Sequence, residues 1–302
     1  MINKTLFAHL ALLTANLIYA LNYTFAKDVM PEFIMPSGFI LLRVIGALIL
    51  FGVLFLFFIN EKIQKKDILR FATCAVFGVA INQLLFFEGL NLTTPINASI
   101  VMTINPILVI FLSFIILNEA LTTRRIVGII LGFIGAYILI LKGGEFNFSS
   151  NTQLGNLFVF INATSYALYL VIVKPLIERY HPVTVMFYVF SFGLLFVFPF
   201  GYNNLIAVEW RMIPVNIYIE IIFVVVCTTF IAYLLNSVAL SRLSPTTVSI
   251  YIYMQPIFAT LFAIYWGVDN LNLQKIIATI FIFFGVYLVS VRSLKDKKDK
   301  LS

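Results

Sequence analysis

The sequence predicts an all-α integral membrane protein: ten transmembrane helices as two inverted five-helix repeats, both termini cytoplasmic. Three observations predict it. First, 62% of the residues are apolar and only 11% charged, with a mean hydropathy of +1.04, whereas a soluble domain carries about 25% charged residues. So little polar surface cannot cover a water-soluble globule, and the bilayer becomes the solvent. Second, the apolar residues form continuous runs without alternation, which favours helices over barrel strands. Third, the stretch from Pro95 to Leu121 returns, without a gap, from Pro245 to Leu271. Pro95 matches Pro245, Ser99 matches Ser249, Pro106 matches Pro256, and Glu119 matches Asp269.

In chain order the first five expected spans are Leu6–Ala26, Pro36–Ile59, Ile68–Leu90, Pro95–Leu117 and Ile126–Leu141. The second five are Leu154–Val173, Val183–Phe200, Val215–Leu240, Pro245–Trp266 and Lys275–Val291. Most approach the ~17–25 residues that a spanning helix needs. The first run follows a single Lys4, has no small-residue cleavage site and continues into polar and aromatic residues, so it reads as a retained span. The second carries Arg43, and the third carries Asn82, Gln83 and Glu88. The fourth and ninth open on Pro95 and Pro245, where a missing N–H costs nothing. Each then meets a second proline, Pro106 or Pro256, near the bilayer midplane, where a backbone carbonyl is freed and the helix can bend. The fifth carries Gly128, Gly132 and Gly135, a small-residue face for close packing. The sixth repeats the first, with Tyr166-Ala167-Leu168 for Tyr19-Ala20-Leu21 and Lys174 for Lys27. The tenth repeats the fifth through Gly285 and Tyr287, which match Gly135 and Tyr137.

Lysine and arginine orient the spans. On one side lie Lys4, then Lys62, Lys65, Lys66 and Arg70, then Arg124 and Arg125, then Lys174, Arg179 and Arg242, and a basic tail from Arg292 to Lys300. The other side holds Lys27, Lys142, Arg211 and Lys275. The richer side is therefore expected to be cytoplasmic. Five spans per repeat is an odd number, so the second copy enters the membrane upside down, a plan that recurs in secondary transporters. The expected units are residues 1–145 and 146–302, joined through the polar, glycine- and serine-rich segment from Lys142 to Gln153.

The net charge of +7 does not point to nucleic acid, because the basic residues sit in short loops and the tail and form no basic face. Cys74 and Cys227 lie within apolar runs, which supports neither a disulfide nor a metal site. His9 and His181 are not spaced for a metal, and no H-E-x-x-H, G-x-S-x-G or G-K-[ST] occurs. No cofactor is expected, and the chain does not read as an enzyme.

Polar residues within a span are costly, so each needs a reason. Asn16, Tyr19, Asn22 and Tyr23 share one face of the first helix by their spacing, as do Asn162, Tyr166 and Tyr169 on the sixth. With Asn82 and Gln83, Asn105 just before Pro106, and Tyr251 and Gln255 before Pro256, they are candidates to line a central polar cavity. The alternative for each amide is an interhelical hydrogen bond that only holds the bundle together. Arg43 and Glu88 lie at similar depth with opposite charge, and are candidates to pair or to take part in solute movement; the alternative is snorkelling to the interface. Glu119 and Asp269 read as caps or partners of the next helix.

The segment EGLNLTTPINASIVMTINPILVIFLSFIILNEALTTRRIVGIILGFIG, Glu88 through Gly135, resembles the EamA transporters of the drug/metabolite transporter superfamily. Its small-residue fourth helix, midplane proline, following carboxylate and glycine-rich fifth helix carry the likeness. Tyr19, Asn22 and Lys27 look like the family's first-helix motif, although tryptophan often stands where this chain has Tyr19, and Arg43 looks like its second-helix arginine. The second copy departs, with Gln255 for Asn105 and Phe190 where a counterpart of Arg43 would be. The resemblance implies a multi-pass carrier of the inner or plasma membrane, often an exporter of amino acids or other small metabolites. Its expected partners are a small-molecule solute and the lipid bilayer. The competing class is a non-transporting scaffold or a lipid-handling membrane enzyme; a scaffold needs no polar cavity at its centre.

Overall fold

The computed structural model of the chain describes residues 4–59, 61–117, 123–140 and 150–290. All regular structure among them is helical. We label the elements α1 (Lys4–Val29), α2 (Pro36–Ile59), α3 (Lys65–Leu92), α4 (Pro95–Leu117) and α5 (Thr123–Ile140). They continue as α6 (Asn151–Arg179), α7 (Pro182–Ile206), α8 (Val215–Leu240), α9 (Pro245–Tyr265) and α10 (Leu273–Ser290). Eight of these, α1 to α4 and α6 to α9, are long and apolar enough to cross a membrane; α5 and α10 carry the shorter apolar stretches Ile126–Gly135 and Leu273–Gly285. Large apolar side chains such as Phe57, Phe58 and Ile219 stand on the outside, as a lipid solvent requires.

Several helices outrun their apolar cores. α6 continues past Lys174 and Pro175 to Arg179. It can do so because the Lys174 ammonium donates to the carbonyls of Leu240 and Leu243 at the end of α8, at 2.6 and 3.3 Å, which leaves no bare charge in the apolar layer. The same device stands at the end of α3, where Lys27 of α1 donates to the carbonyls of Leu90, Asn91 and Thr93 at 2.6–3.1 Å. These carbonyls end their helices and have no intrahelical donor.

α4 and α9 are interrupted at matched places. α4 is α-helical over Pro95–Met102 and again over Asn105–Leu117. α9 passes from Pro245–Ile250 through a 3₁₀ turn, Tyr251–Tyr253, into Met254–Tyr265. Pro106 and Pro256 each remove one N–H from the ladder, and tighter i→i+3 bonds take up the slack beside them: Ile107 to Ile104 at 3.0 Å, and Met254 to Tyr251. Both segments begin alike, with Thr94 accepting from the Asn97 N–H and Ser244 from the Thr247 N–H. α2, α3 and α8 carry π-helical stretches at Phe55–Ile59, Val76–Ala80 and Phe223–Ile231, which the apolar pattern does not signal.

Helix pairs meet through small residues. α5 packs on α10, where a Cβ on Gly285 would lie 2.6 Å from the Gly128 carbonyl and 2.8 Å from the Gly132 nitrogen. α3 packs on α6 through Gly89 and Gly155, where a Cβ on either would fall within 2.8 Å of the other's carbonyl. α2 lies along α7, and α1 along α8 and α9. Asp269, after α9, accepts from the Ile96 N–H at the start of α4 at 3.1 Å and from the buried Lys275 ammonium at 2.7 Å. Lys27 and Lys275, read from sequence as loop charges, are therefore built into the fold. Glu119, the counterpart of Asp269, lies outside the described residues, as do most of the Lys142–Gln153 segment and the basic tail.

Gly155→Val is expected to force α3 and α6 apart. Overpacking at so close a contact costs about 1–3 kcal/mol, read as a lowered thermal midpoint in detergent. Gly52→Ala, whose Cβ would meet only Phe187 at 3.6 Å, is expected to leave the midpoint unchanged.

Candidate functional site

The irregular stretches converge on the bundle centre. In a π-helical turn the backbone slips by one residue, which re-aims side chains and leaves carbonyls to be met from outside the helix. In α3 the Phe77 carbonyl accepts from Ser165 at 2.7 Å, and the Gly78 carbonyl from the Tyr233 hydroxyl at 3.1 Å. One turn on, the Asn82 carbonyl accepts from the Asn162 amide at 2.6 Å. In α8 the π-helical stretch turns Thr228 and Thr229 inward; both are buried, and Thr229 donates to the Val224 carbonyl five residues back.

Between these elements lies a cavity of ≈ 70 Å³, room for a few water molecules. α1 contributes Tyr19, Asn22 and Tyr23, and α3 contributes Asn82, Gln83, Phe86 and Phe87. α6 adds Asn162 and Tyr166, and α8 adds Thr228 and Tyr233. Arg43 of α2, Met102 of α4 and Gln255 of α9 complete the wall. Among these lining residues Arg43 is the charged one. It is 3% exposed. Its Nε donates to Thr229 at 2.7 Å, and its guanidinium carbon lies 4.3 Å from the Phe87 ring centroid. A buried guanidinium carries five N–H donors, and Thr229 takes one of them. Around it, Asn22 Oδ1, Gln83 Oε1, Asn162 Oδ1 and Thr228 Oγ1 are buried without a hydrogen-bond partner. The cavity thus holds free donors at one point and free acceptors at several others.

Of the residues the sequence singles out, Tyr19, Asn22, Tyr23, Asn82, Gln83, Asn162, Tyr166 and Gln255 line the space, with Arg43. Four others lie behind or away from it. Asn16 accepts from Gln255 at 2.7 Å and donates to the Leu12 carbonyl, so it supports the wall from within α1. Asn105 turns to α6 and donates to the Ala163 carbonyl at 2.7 Å. Tyr169 stacks behind Tyr166, and Tyr251 reaches His9 at 2.7 Å. Gln255 stays in the wall because the Tyr23 hydroxyl, itself a lining group, donates to its Oε1 at 2.9 Å.

Arg43 and Glu88, candidates to pair, are not in contact: the Arg43 partners among the described residues are Thr229 and the Phe87 ring. Phe87 and Gln83 face the cavity, and at ~100° per residue Glu88 is turned well away from both. Glu88 is half-buried on another face of α3. Phe86, Phe87, Met102, Thr228 and Tyr233 also line the cavity, and no pattern in the sequence singles them out. The Arg43 side chain marks the spot, but only the helix register reveals which aromatic residues surround it.

A model of the EamA-like transporter family matches this chain twice, over residues 6–141 and 153–291. An uncharacterized transporter of Archaeoglobus fulgidus is 27% identical over 235 residues, 76% of this chain and 79% of its own length. The uncharacterized transporter YyaM of Bacillus subtilis is 23% identical, covering 81% of this chain and 80% of its own. A probable terminal-alkyne amino-acid exporter of Streptantibioticus cattleyicolor is 22% identical, covering 78% and 77%. One solved crystal structure superposes with a TM-score of 0.61 at 19% identity, over 95% of this chain and 96% of its own, a likeness of fold. With two matches that together span nearly all of its length, and with helices built to cross a bilayer, this multi-pass membrane protein belongs to the EamA-like transporter family.

Proposed function

We propose that the chain is a secondary transporter that exports a small zwitterionic metabolite of the amino-acid class across the inner or plasma membrane by alternating access. The observation that carries this reading is Arg43, a buried cation with unfilled donors facing a cavity whose other lining residues are neutral. A carboxylate set against it forms charge-assisted hydrogen bonds in a medium of low dielectric. The unpartnered oxygens of Asn22, Gln83 and Asn162 are acceptors for an ammonium group, and the rings of Tyr19, Tyr23, Phe86, Phe87 and Tyr166 offer an apolar wall. In a scaffold with no solute to bind, a buried guanidinium and several orphaned amide oxygens would be a standing cost.

The outward direction and the amino-acid class draw support from the exporter named among the relatives. At ≈ 70 Å³ the cavity is too small for most solutes, so loading requires the helices to part. The breaks beside Pro106 and Pro256 are where α4 and α9 can bend. Two sets of cross-links would have to open in turn. Asp269 with Ile96 and Lys275 closes one end, and Asp67 with Arg179 and Tyr180 ties α3 to α6 at the other. We read the architecture as ten spans in two inverted five-helix units, residues 1–145 and 146–302, with both termini cytoplasmic. The matched bonds of Lys27 and Lys174, and the matched breaks in α4 and α9, support it.

Losing one partner of a buried charged contact costs about 2–5 kcal/mol. Arg43→Gln is therefore expected to lower amino-acid counterflow in proteoliposomes by roughly 30-fold or more at wild-type expression, with Arg43→Lys retaining part of it. Undiminished flux in Arg43→Gln overturns the reading. The orientation is checked with single cysteines in a Cys74→Ala/Cys227→Ala background. A cysteine at Lys62 is expected to resist an impermeant thiol reagent in intact cells and one at Arg211 to react; the reverse pattern inverts the topology.

A further inference from the structure

A second concavity, of ≈ 530 Å³, opens between α3 and α6 at the end of the bundle that carries Lys62, Lys65 and Lys66. We propose that it binds the headgroup of an anionic phospholipid, with one acyl chain lying along its apolar wall.

Three cations meet there from two helices. Lys66 and Arg70 stand one turn apart at the start of α3, both exposed and without an ion pair among the described residues. Arg179 ends α6, with its side chain 40% exposed. Asp67 is the one acid in the wall, and it is engaged: its carboxylate accepts from Arg179 Nη1 at 2.7 Å and from the Tyr180 hydroxyl at 2.7 Å. That bond fixes the guanidinium at the rim, where its exposed part faces the groove. The groove therefore carries an excess of two positive charges, held in part by a rigid link across the two helices.

Its depth selects the ligand. The span Lys65–Leu92 begins here and the span Asn151–Arg179 ends here, so the cations lie where the helices leave the apolar layer. Leu69, 78% exposed, stands between Lys66 and Arg70 on α3, and Ile172 lies about two turns inside Arg179 on α6, so the wall of the groove is apolar beside and below the charges. A phosphodiester at the rim meets the charges, and its chain meets Leu69. A water-soluble phosphate ester meets only the charges, which are individually screened by salt. Basic pockets between spans on the basic side of a membrane protein bind anionic headgroups on these grounds. The inference does not depend on what the central cavity carries.

The test is native mass spectrometry of the full chain in detergent, titrated with phosphatidylglycerol or with phosphatidylcholine of the same acyl chains. The wild-type chain is expected to retain phosphatidylglycerol in preference. Lys66→Gln/Arg70→Gln removes two of the three cations and is expected to weaken that retention roughly 30-fold. This variant leaves the Asp67–Arg179 pair intact, and Arg211→Gln, at the other end of the molecule, is expected to change nothing. Equal retention of the two lipids by the wild-type chain overturns the proposal, as does a double variant that keeps phosphatidylglycerol at the wild-type level. If sn-glycerol 3-phosphate displaces the lipid at millimolar concentration, the groove is a soluble phosphate-ester site and the lipid assignment fails. Should the double variant not fold, the lipid preference of the wild-type chain and its loss in high salt decide the question alone.

Discussion

Backbone polar groups carried into the bilayer need partners within the protein, and at the ends of α3 and α8 a lysine from another helix supplies them. Lys27 gathers three carbonyls at the end of α3, and Lys174 gathers two at the end of α8. Each reaches them from another helix, so one contact satisfies a helix terminus and fixes the mutual position of two spans. Without it, α3 and α8 would end on bare carbonyls in a partly buried setting, where each unmet group costs on the order of several kcal/mol. Asp269 does the converse for the start of α4, taking the Ile96 N–H that follows Pro95 while paired with Lys275.

With the ends secured, irregularity is tolerated in the middle. Prolines interrupt α4 and α9, and π-helical turns interrupt α3 and α8. Non-helical backbone at membrane depth survives where it is buried in protein or borders a polar cavity. Here Ser165, Tyr233 and Asn162 supply the donors that the α3 carbonyls need. The same side chains then frame the space that Arg43 faces. The two halves use matched positions differently. Asn105 is drawn outward to the Ala163 carbonyl, whereas Gln255 stays in the cavity wall between Asn16 and Tyr23. The site is therefore asymmetric although the helices around it are similar.

Much of the architecture was legible because apolar run length reports spans directly, and because Pro106 and Pro256 are too expensive in a helix to be incidental. The polar face of α1 was legible through the three- and four-residue spacing of Tyr19, Asn22 and Tyr23. Other features were not. An amide inside a span reads the same whether it faces a neighbouring carbonyl, as Asn105 does, or a cavity, as Gln83 does; a rotation of ~100° per residue separates the two outcomes. Phe86, Phe87 and Met102 are apolar in an apolar run and carry no mark of their position. Tyr233 and Thr228 were hidden by the π-helical stretch that turns α8, which no residue pattern announces. Arg43 and Glu88 suggested each other by charge and depth, but helix rotation gave Arg43 to Thr229 and Phe87.

If the cavity recognises a solute through its carboxylate at Arg43, thermal stabilisation of the purified protein by a panel of free amino acids, each paired with its carboxamide, reads that contact. An amino acid that raises the unfolding midpoint is expected to lose that effect when its carboxylate is amidated, and its N-acetyl derivative to be weakened less. Equal stabilisation by the carboxamide and the free acid excludes recognition of the carboxylate at Arg43.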